Sequence, residues 1–382
     1  MATTSILAGI PAKNPTLYHR IRFLAPDSTV WIGHADGSST LIVRDIEMDR
    51  ARQLKHIERV ACSADFTPEG GLSADRDTAL AQAAAECLRQ SGETQVTVEG
   101  SLPYLYAHHL QEAGITLEFS ADFGVMERRT KDEQEIEWLR HAQKVTGEAI
   151  THACRLIANA SADREGILQH DGAPLTSERT RSLITAFLAE RNFSNHHDSI
   201  VVTLPHVADC HHFGEGALRT EAPIIVDIFP MDNATRYHGD MTRAVVHGEP
   251  SDEVKRMHAA VAAAKQVGCE ALEAGTTGDA VHKKVVASLE AHGYSEKLGP
   301  DVEDRTTPYL RHGTGHGIGL EVHEPILLAP GGGEILAGEI FTVEPGLYSS
   351  VHGGVRIEDM VLATADGHEI LSPLHEGLDW KD

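Results

Sequence analysis

The chain is poor in cysteine, poor in positive charge, and free of long apolar runs. Its five cysteines, Cys62, Cys87, Cys154, Cys210 and Cys269, form no CxxC pair and are odd in number. A disulfide framework is therefore not expected, and a reducing compartment, the cytoplasm, is the expected location. No stretch approaches the ~18 apolar residues that a membrane span needs. The opening MATTSILAGIPAKNPT carries neither the charged n-region nor the apolar core of an export signal, so neither export nor membrane insertion is expected. Lys and Arg number 33 against 57 Asp and Glu, a formal net charge of −24. A surface of that sign repels phosphate backbones, which argues against a nucleic-acid partner. No short-period repeat is present. The hydrophobic fraction of 41% and charged fraction of 24% are those of a folded chain without long disordered regions. A length of 382 residues suggests two domains, each able to bury its own core.

Residues 1 to about 125 alternate strand-like runs (TVWIG, STLIV, QVTVE, ITLEF) with helix-like ones (DTALAQAAAECLRQ, PYLYAHHLQEAG), the pattern of an α/β domain with no catalytic constellation of its own. A boundary follows in RRTKDEQEIEWLRHAQKVTGEAI, where Thr130 and Glu133 suit a capping box. Ile136, Leu139, Ala142, Val145 and Ala149 then recur at helical spacing, the stripe of a packed core helix. Further helices are predicted at about 178–191, 252–273 and 279–292, the last two ending near Gly275 and Gly293.

Function is written in four stretches. In IIVDIFPMDNATRYHGDMTRAVV, apolar flanks predict two strands, with turn chemistry at Pro230, Asp232, Asn233 and Gly239, so that Asp227 and Asp240 sit on neighbouring strands. IFTVEPGLY and GGVRIEDMVLA carry Glu344 and Glu358 inside similar apolar patterns. A carboxylate in a strand core is costly unless it is paired or metal-bound. Four of them on two strand pairs favour a metal site over four separate ion pairs. His316, in RHGTGHGIGLEVHE, completes the set, because the glycines at 313, 315, 317 and 319 let the backbone approach closely. Four carboxylates and one imidazole favour manganese, with cobalt, iron and zinc as further candidates. Two ions about 3.5–4 Å apart are the usual arrangement for such a set.

These residues, in this order, resemble the pita-bread metallopeptidases, the group that contains methionine aminopeptidase, aminopeptidase P, prolidase and creatinase. The resemblance implies an α+β chain: a C-terminal pita-bread (creatinase/aminopeptidase) catalytic domain at 130–382, preceded by an α/β creatinase-like domain at 1–125. It also implies that Asp227, Asp240 and Glu358 hold one ion, and that Asp240, His316, Glu344 and Glu358 hold the other. A long domain ahead of the catalytic one is similar to prolidases and aminopeptidases P. Creatinase shares the layout but lacks the metal ligands. A peptidase of Xaa-Pro bonds is thus expected, acting on a dipeptide or a short peptide and working as a homodimer.

The ligands dictate an expected mechanism. Water held between two divalent ions loses a proton near neutral pH and attacks the peptide carbonyl. His323 is the expected donor to the oxyanion, a contact worth roughly 3 kcal/mol. Glu344 is a candidate to carry the proton to the leaving nitrogen. His211 or His212 is expected to contact substrate, and counting from Ile200 and Val201 favours His211. Arg356 is expected either to bind a carboxylate or to brace Asp240 and the other ligands. The other histidines, the His196-His197 pair among them, are expected in loops or at the surface. Two features depart from the family pattern. Thirteen positions separate Asp227 from Asp240, a longer loop than is typical, and DSIVVTLPHVADCHHFGEG lacks an expected glycine-asparagine pair. They motivate an alternative, a metal-dependent hydrolase of another small amide or C–N bond. A non-catalytic binding protein is disfavoured by the intact ligand set, and a purely structural metal would leave His323 and His211 without a role.

Overall fold

The structure, a computed structural model, describes residues 3–297, 305–371 and 373–381. The chain divides into two compact units, Met1–Arg128 and Arg129–Asp382. In the first, six strands form one mixed sheet in the order Arg59–Cys62, Ser39–Val43, Thr29–Gly33, Ser5–Gly9, Gln95–Val98, Thr116–Phe119. Helix Arg76–Gln90 starts where the Asp75 side chain accepts the Thr78 amide at 2.9 Å. It lays Leu80, Ala84, Cys87 and Leu88 into the core formed with Ile6, Val30, Ile42 and Val96. Ser5–Gly9, a central strand, lies in the opening segment where sequence patterning gave no strand.

The second unit opens with the 26-residue helix Glu133–Ala158. Its capping box is Asp132 with Glu135, not Thr130 with Glu133. Thr130 bridges Glu339 and the Lys131 amide bonds the Gly338 carbonyl at 2.9 Å, which holds the chain extended and makes Asp132 the first residue free to turn. Its other α-helices among the described residues are Ser177–Ala189, Asp252–Glu270 and Gly278–Ala291. One antiparallel sheet pairs Ile200–Val202, Pro223–Ile228 and Met241–Val246, with Asp227 opposite Thr242. A second runs Glu324–Leu328, Gly315–Gly317, Ile340–Val343, Asp359–Thr364, Gly367–Ile370, and a third runs Ser295–Glu296, Tyr309–Leu310, Gly346–Ser349, Gly353–Arg356.

Side-chain alternation along Met241–Val246 explains how the layers meet. Met241 and Val245 join the core beneath the long helix, whereas Ala244 and Val246 point to the core of helices Asp252–Glu270 and Gly278–Ala291. The strand is thus covered on both faces. The ligand-bearing stretches converge on one cavity, which Asp227, Asp240, His316, Glu344 and Glu358 all line.

Candidate metal centre and catalytic cavity

Of the four carboxylates, only Asp227 lies within a strand. Asp240 immediately precedes Met241–Val246, Glu344 follows Ile340–Val343, and Glu358 falls between Gly353–Arg356 and Asp359–Thr364. The expectation that each carboxylate sits inside a strand is corrected here, and the reason is geometric. Where a strand leaves its ladder, the backbone finds other partners and the side chain can turn inward. The Glu344 amide bonds the Thr314 carbonyl at 2.8 Å, and the Glu358 amide bonds the Thr242 carbonyl at 3.1 Å. Asp240 makes a reciprocal pair with Gln143, its amide donating to Oε1 at 2.9 Å and its carbonyl accepting from Nε2 at 2.8 Å. Gln143, fully buried on the long helix, was missed by sequence reasoning. Its signal was a polar residue placed between Ala142 and Val145 on the apolar stripe.

His316 sits on Gly315–Gly317, and a Cβ at Gly315 would stand 1.9 Å from the Thr342 carbonyl oxygen. Only glycine allows that approach. His316 Nδ1 donates to the Gly317 carbonyl at 3.0 Å, which leaves Nε2 with its lone pair facing the carboxylates. It lies 3.6 Å from Glu344 Oε1 and 3.9 Å from Asp240 Oδ2. Ligand atoms of Asp240, His316 and Glu358 all fall within 4.8 Å of one another. Burial lowers His316 to about 4, so these approaches are those of a neutral imidazole rather than ion pairs.

Burial and then the neighbouring Glu358 and Asp227 carboxylates hold Asp240 well above the usual carboxylate range; burial and then Glu344 do the same for Glu358. Burial raises Glu344 to about 8, against the opposing pull of Arg356. Asp227 Oδ1 is buried with no hydrogen-bond partner. A crowd of carboxylates that must take up protons, one orphaned oxygen and one bare imidazole nitrogen make a donor set that fits divalent cations.

Stability should report this directly. A carboxylate with a raised folded pKa stabilises the fold fully below its unfolded value, near 4.5 for Glu344, and that contribution is lost as pH rises through about 8. Divalent cations displace those protons. The stability difference between cation-loaded and chelated protein, and with it the gap in thermal midpoint, is expected to widen from pH 5 to pH 9, the free energy by about 1.4 kcal/mol per pH unit for each proton displaced. Thermal unfolding with and without chelator checks this, and a pH-independent gap would contradict it.

Arg356 is the cation inside the cluster. Its Nη2 reaches Asp227 Oδ2 at 2.5 Å, Nη1 donates to Tyr348 OH at 2.9 Å, and Nε donates to Thr242 Oγ1 at 3.2 Å. The direct hydrogen bond of the bracing falls on Asp227 rather than Asp240. Thr242 passes the contact on, donating to Glu358 Oε2 at 2.6 Å. Tyr348, already an acceptor from Arg356, donates to His312 Nε2 at 2.7 Å, while His312 Nδ1 donates to Gly313 O at 2.8 Å. Burial and Arg356 lower His312 to about 3, which keeps it neutral. Tyr348 and His312 stand inside the motifs singled out from sequence, but nothing in their spacing signalled this relay.

The cluster forms one wall of a cavity of about 580 Å³. Ile200, Phe213, Phe229, Val322, Leu327 and Ala329 supply its apolar side, and His211, His312 and His323 its polar one. That volume lies within the ~300–1,000 Å³ of small-molecule sites. His211 lines the cavity. His212 turns away, its Nδ1 accepting the Gly214 amide at 2.9 Å and its ring stacking on His206 at 4.3 Å. His323 meets His316 edge-on with ring centroids 4.3 Å apart. His196 and His197 are exposed, as expected, whereas His238 and His282 are buried and His312 lines the cavity. The long Asp227–Asp240 loop is accommodated by pairing Met231–Asp232 with Phe193–Ser194, which leaves the Asp227–Thr242 register intact.

The model of metallopeptidase family M24 matches residues 137–365, a span that contains every ligand candidate. The chain belongs to that family. Across 381 residues the metallopeptidase is 27% identical to the Xaa-Pro dipeptidase of Pyrococcus horikoshii, covering 97% of this chain and 94% of that one. It is 31% identical over 279 residues to the probable dipeptidase PepE of Mycobacterium tuberculosis, covering 71% and 66%. Among solved structures it resembles the Xaa-Pro dipeptidase from Bacillus anthracis with a TM-score of 0.80 at 23% identity, covering 98% and 94%. The X-Pro aminopeptidase from Thermotoga maritima gives 0.79 at 22%, covering 98% and 97%. The metallopeptidase has the pita-bread fold, α+β in class, and its family membership implies use of divalent metal.

Proposed function

We propose that the metallopeptidase hydrolyses Xaa-Pro peptide bonds, in dipeptides or at the amino terminus of short peptides, using two divalent cations, manganese foremost. One observation supports this reading above the rest. Asp227, Asp240, Glu344 and Glu358 share a cavity sized for a small molecule with Arg356, the only Lys or Arg among the described residues that line it. Four negative charges against one leave an excess of three, which two divalent ions offset and one does not.

Asp227, Asp240 and Glu358 would hold one ion, and Asp240, His316, Glu344 and Glu358 the other. When bound, the pair activates a water near neutral pH and polarises the peptide carbonyl. Arg356, with all three kinds of guanidinium nitrogen engaged by protein, keeps Asp227 and, through Thr242, Glu358 in place rather than gripping substrate. Glu344 is the most open of the carboxylates, its side chain 19% exposed against 4% for Asp240 and 9% for Asp227. It takes the proton of the attacking water and passes it to the proline nitrogen. His323 donates to the oxyanion, and His211 contacts the substrate beside the leaving residue. Proline presents a tertiary amide with no N–H, and the apolar wall of the cavity suits its ring. We read the enzyme as cytoplasmic, where its five free cysteines stay reduced, and by family resemblance as a homodimer.

The test is hydrolysis of Ala-Pro and of an Ala-Pro-Xaa peptide by metal-stripped protein reloaded with manganese, cobalt or zinc. Cleavage of the dipeptide alone is the result for a prolidase, and cleavage of the longer peptide the result for an aminopeptidase P. Failure on both, with metal bound, overturns the Xaa-Pro reading in favour of another C–N substrate.

A further inference from the structure

His323 is placed by its backbone. It ends the loop 318–323 of a hairpin whose strands, Gly315–Gly317 and Glu324–Leu328, pair Gly317 with Glu324. Its ring is exposed at the cavity, with the His316 ring as an edge-on neighbour, so packing does little to fix it. The next residue behaves differently. Glu324, 3% exposed, turns its carboxylate beneath the loop, where Oε1 accepts the Leu320 amide at 3.1 Å and the Glu321 amide at 3.3 Å. Oε2 takes the Lys131 ammonium at 3.0 Å, both side chains being 2% exposed.

We infer that the buried Lys131–Glu324 pair is a positioning device that fixes the His323 loop for catalysis. The inference rests on the role proposed for His323. A buried ion pair contributes little net stability compared with apolar residues of similar volume, so its retention calls for a geometric reason. The reason is where its bonds go: they tie down the amides of the loop, not the core. Lys131 is itself rigid. Its Nζ also donates to the Arg129 carbonyl at 3.1 Å, and its segment bridges Glu339. Gly319 completes the fit, since a Cβ there would stand 2.7 Å from Glu324 Oε2. From the other side the His238 amide bonds the Gly319 carbonyl at 3.0 Å, so the long Asp227–Asp240 loop docks on the same hairpin.

The test combines Lys131→Met/Glu324→Leu, which removes both charges together, with His323→Ala, singly and in combination. Metal content and Ala-Pro kinetics are measured for each, with hydrogen exchange of the loop amides. The double replacement is expected to lower kcat about 10- to 100-fold with KM little changed, the scale of a misplaced catalytic group. It should cost nothing further once His323 is alanine, and the Leu320 and Glu321 amides should exchange faster. Lys131→Arg, keeping the charge, should retain most activity. Losses that multiply, or loop amides that exchange as in the native protein, overturn the inference. If His323→Ala leaves kcat unchanged, the role proposed for His323 fails instead, and amide exchange alone judges the clamp. Should the double variant not fold, Gly319→Ala displaces the Glu324 carboxylate without removing a charge, and the same outcomes apply.

Discussion

Replacing Asp240 with alanine is expected to lower kcat/KM for Ala-Pro by more than the ~10²–10³-fold cost of losing one oxyanion donor, because a ligand shared by both proposed ions goes with it. The fold should survive. Asp240 is held at its corner by backbone bonds to Gln143, which the substitution does not touch. Its carboxylate is pushed well above the ordinary range by burial and by Glu358, Asp227 and Glu344, so removing it relieves the crowding of the cation-free site. Chelated Asp240→Ala protein is therefore expected to melt no lower than chelated native protein. Activity and stability should separate in this variant. A large drop in both would mean that Asp240 is chiefly a structural residue.

Arg243→Met is expected to do the opposite, destabilising the catalytic unit by about 3–5 kcal/mol, the range for removing one partner of a buried charge pair. Arg243 is fully buried. Its Nη2 donates to Asp359 Oδ1 at 2.7 Å, Nη1 to the carbonyls of Thr242 and Glu358 at 2.9 and 2.6 Å, and Nε to that of His375 at 2.8 Å. Lys265, which pairs with both Asp359 and Glu376, remains as the only described cation facing Asp359, and the abandoned carbonyls stay buried. The Glu358 corner keeps its own bonds to Thr242 but loses the guanidinium that holds both carbonyls, so metal affinity should fall too. Against a total stability of ~5–15 kcal/mol the loss is large. Urea unfolding of the chelated protein measures it. A change below about 1 kcal/mol would mean that Lys265 alone balances Asp359.

Much of this was legible from residue types and order. The Asp227–Asp240 stretch, the glycine-spaced His316 and the paired Glu344 and Glu358 stretches pointed to the candidate ligands that the structure brings to one cavity, and to the fold class, because a carboxylate among apolar residues and a glycine beside a histidine have few structural explanations. Two kinds of feature were not legible. Strand breaks at Asp240, Glu344 and Glu358 depend on which backbone partners the rest of the fold supplies, and alternating apolar residues on both sides conceal them. Contacts across long sequence separations, such as Gln143 with Asp240 or Lys131 with Glu324, leave only a polar residue on an apolar face as their trace. Spacing from Ile200 favoured His211 over His212, and His211 is the one that lines the cavity, the second ring being turned away by the Gly214 amide on its Nδ1. The capping box shifted by two residues for a related reason: Thr130 is held in a bridge with Glu339 before the helix can begin.

The central claim is that two divalent ions share this cluster and act on an Xaa-Pro bond. Its most direct test is to titrate metal-stripped protein with manganese, counting bound ions per chain while following Ala-Pro hydrolysis, in the native chain and in Asp240→Ala. The expected result is a rate that levels off at two ions per native chain, with fewer ions and no measurable turnover in the variant. A rate that levels off at one ion, or a variant that binds two and still turns over, would contradict it.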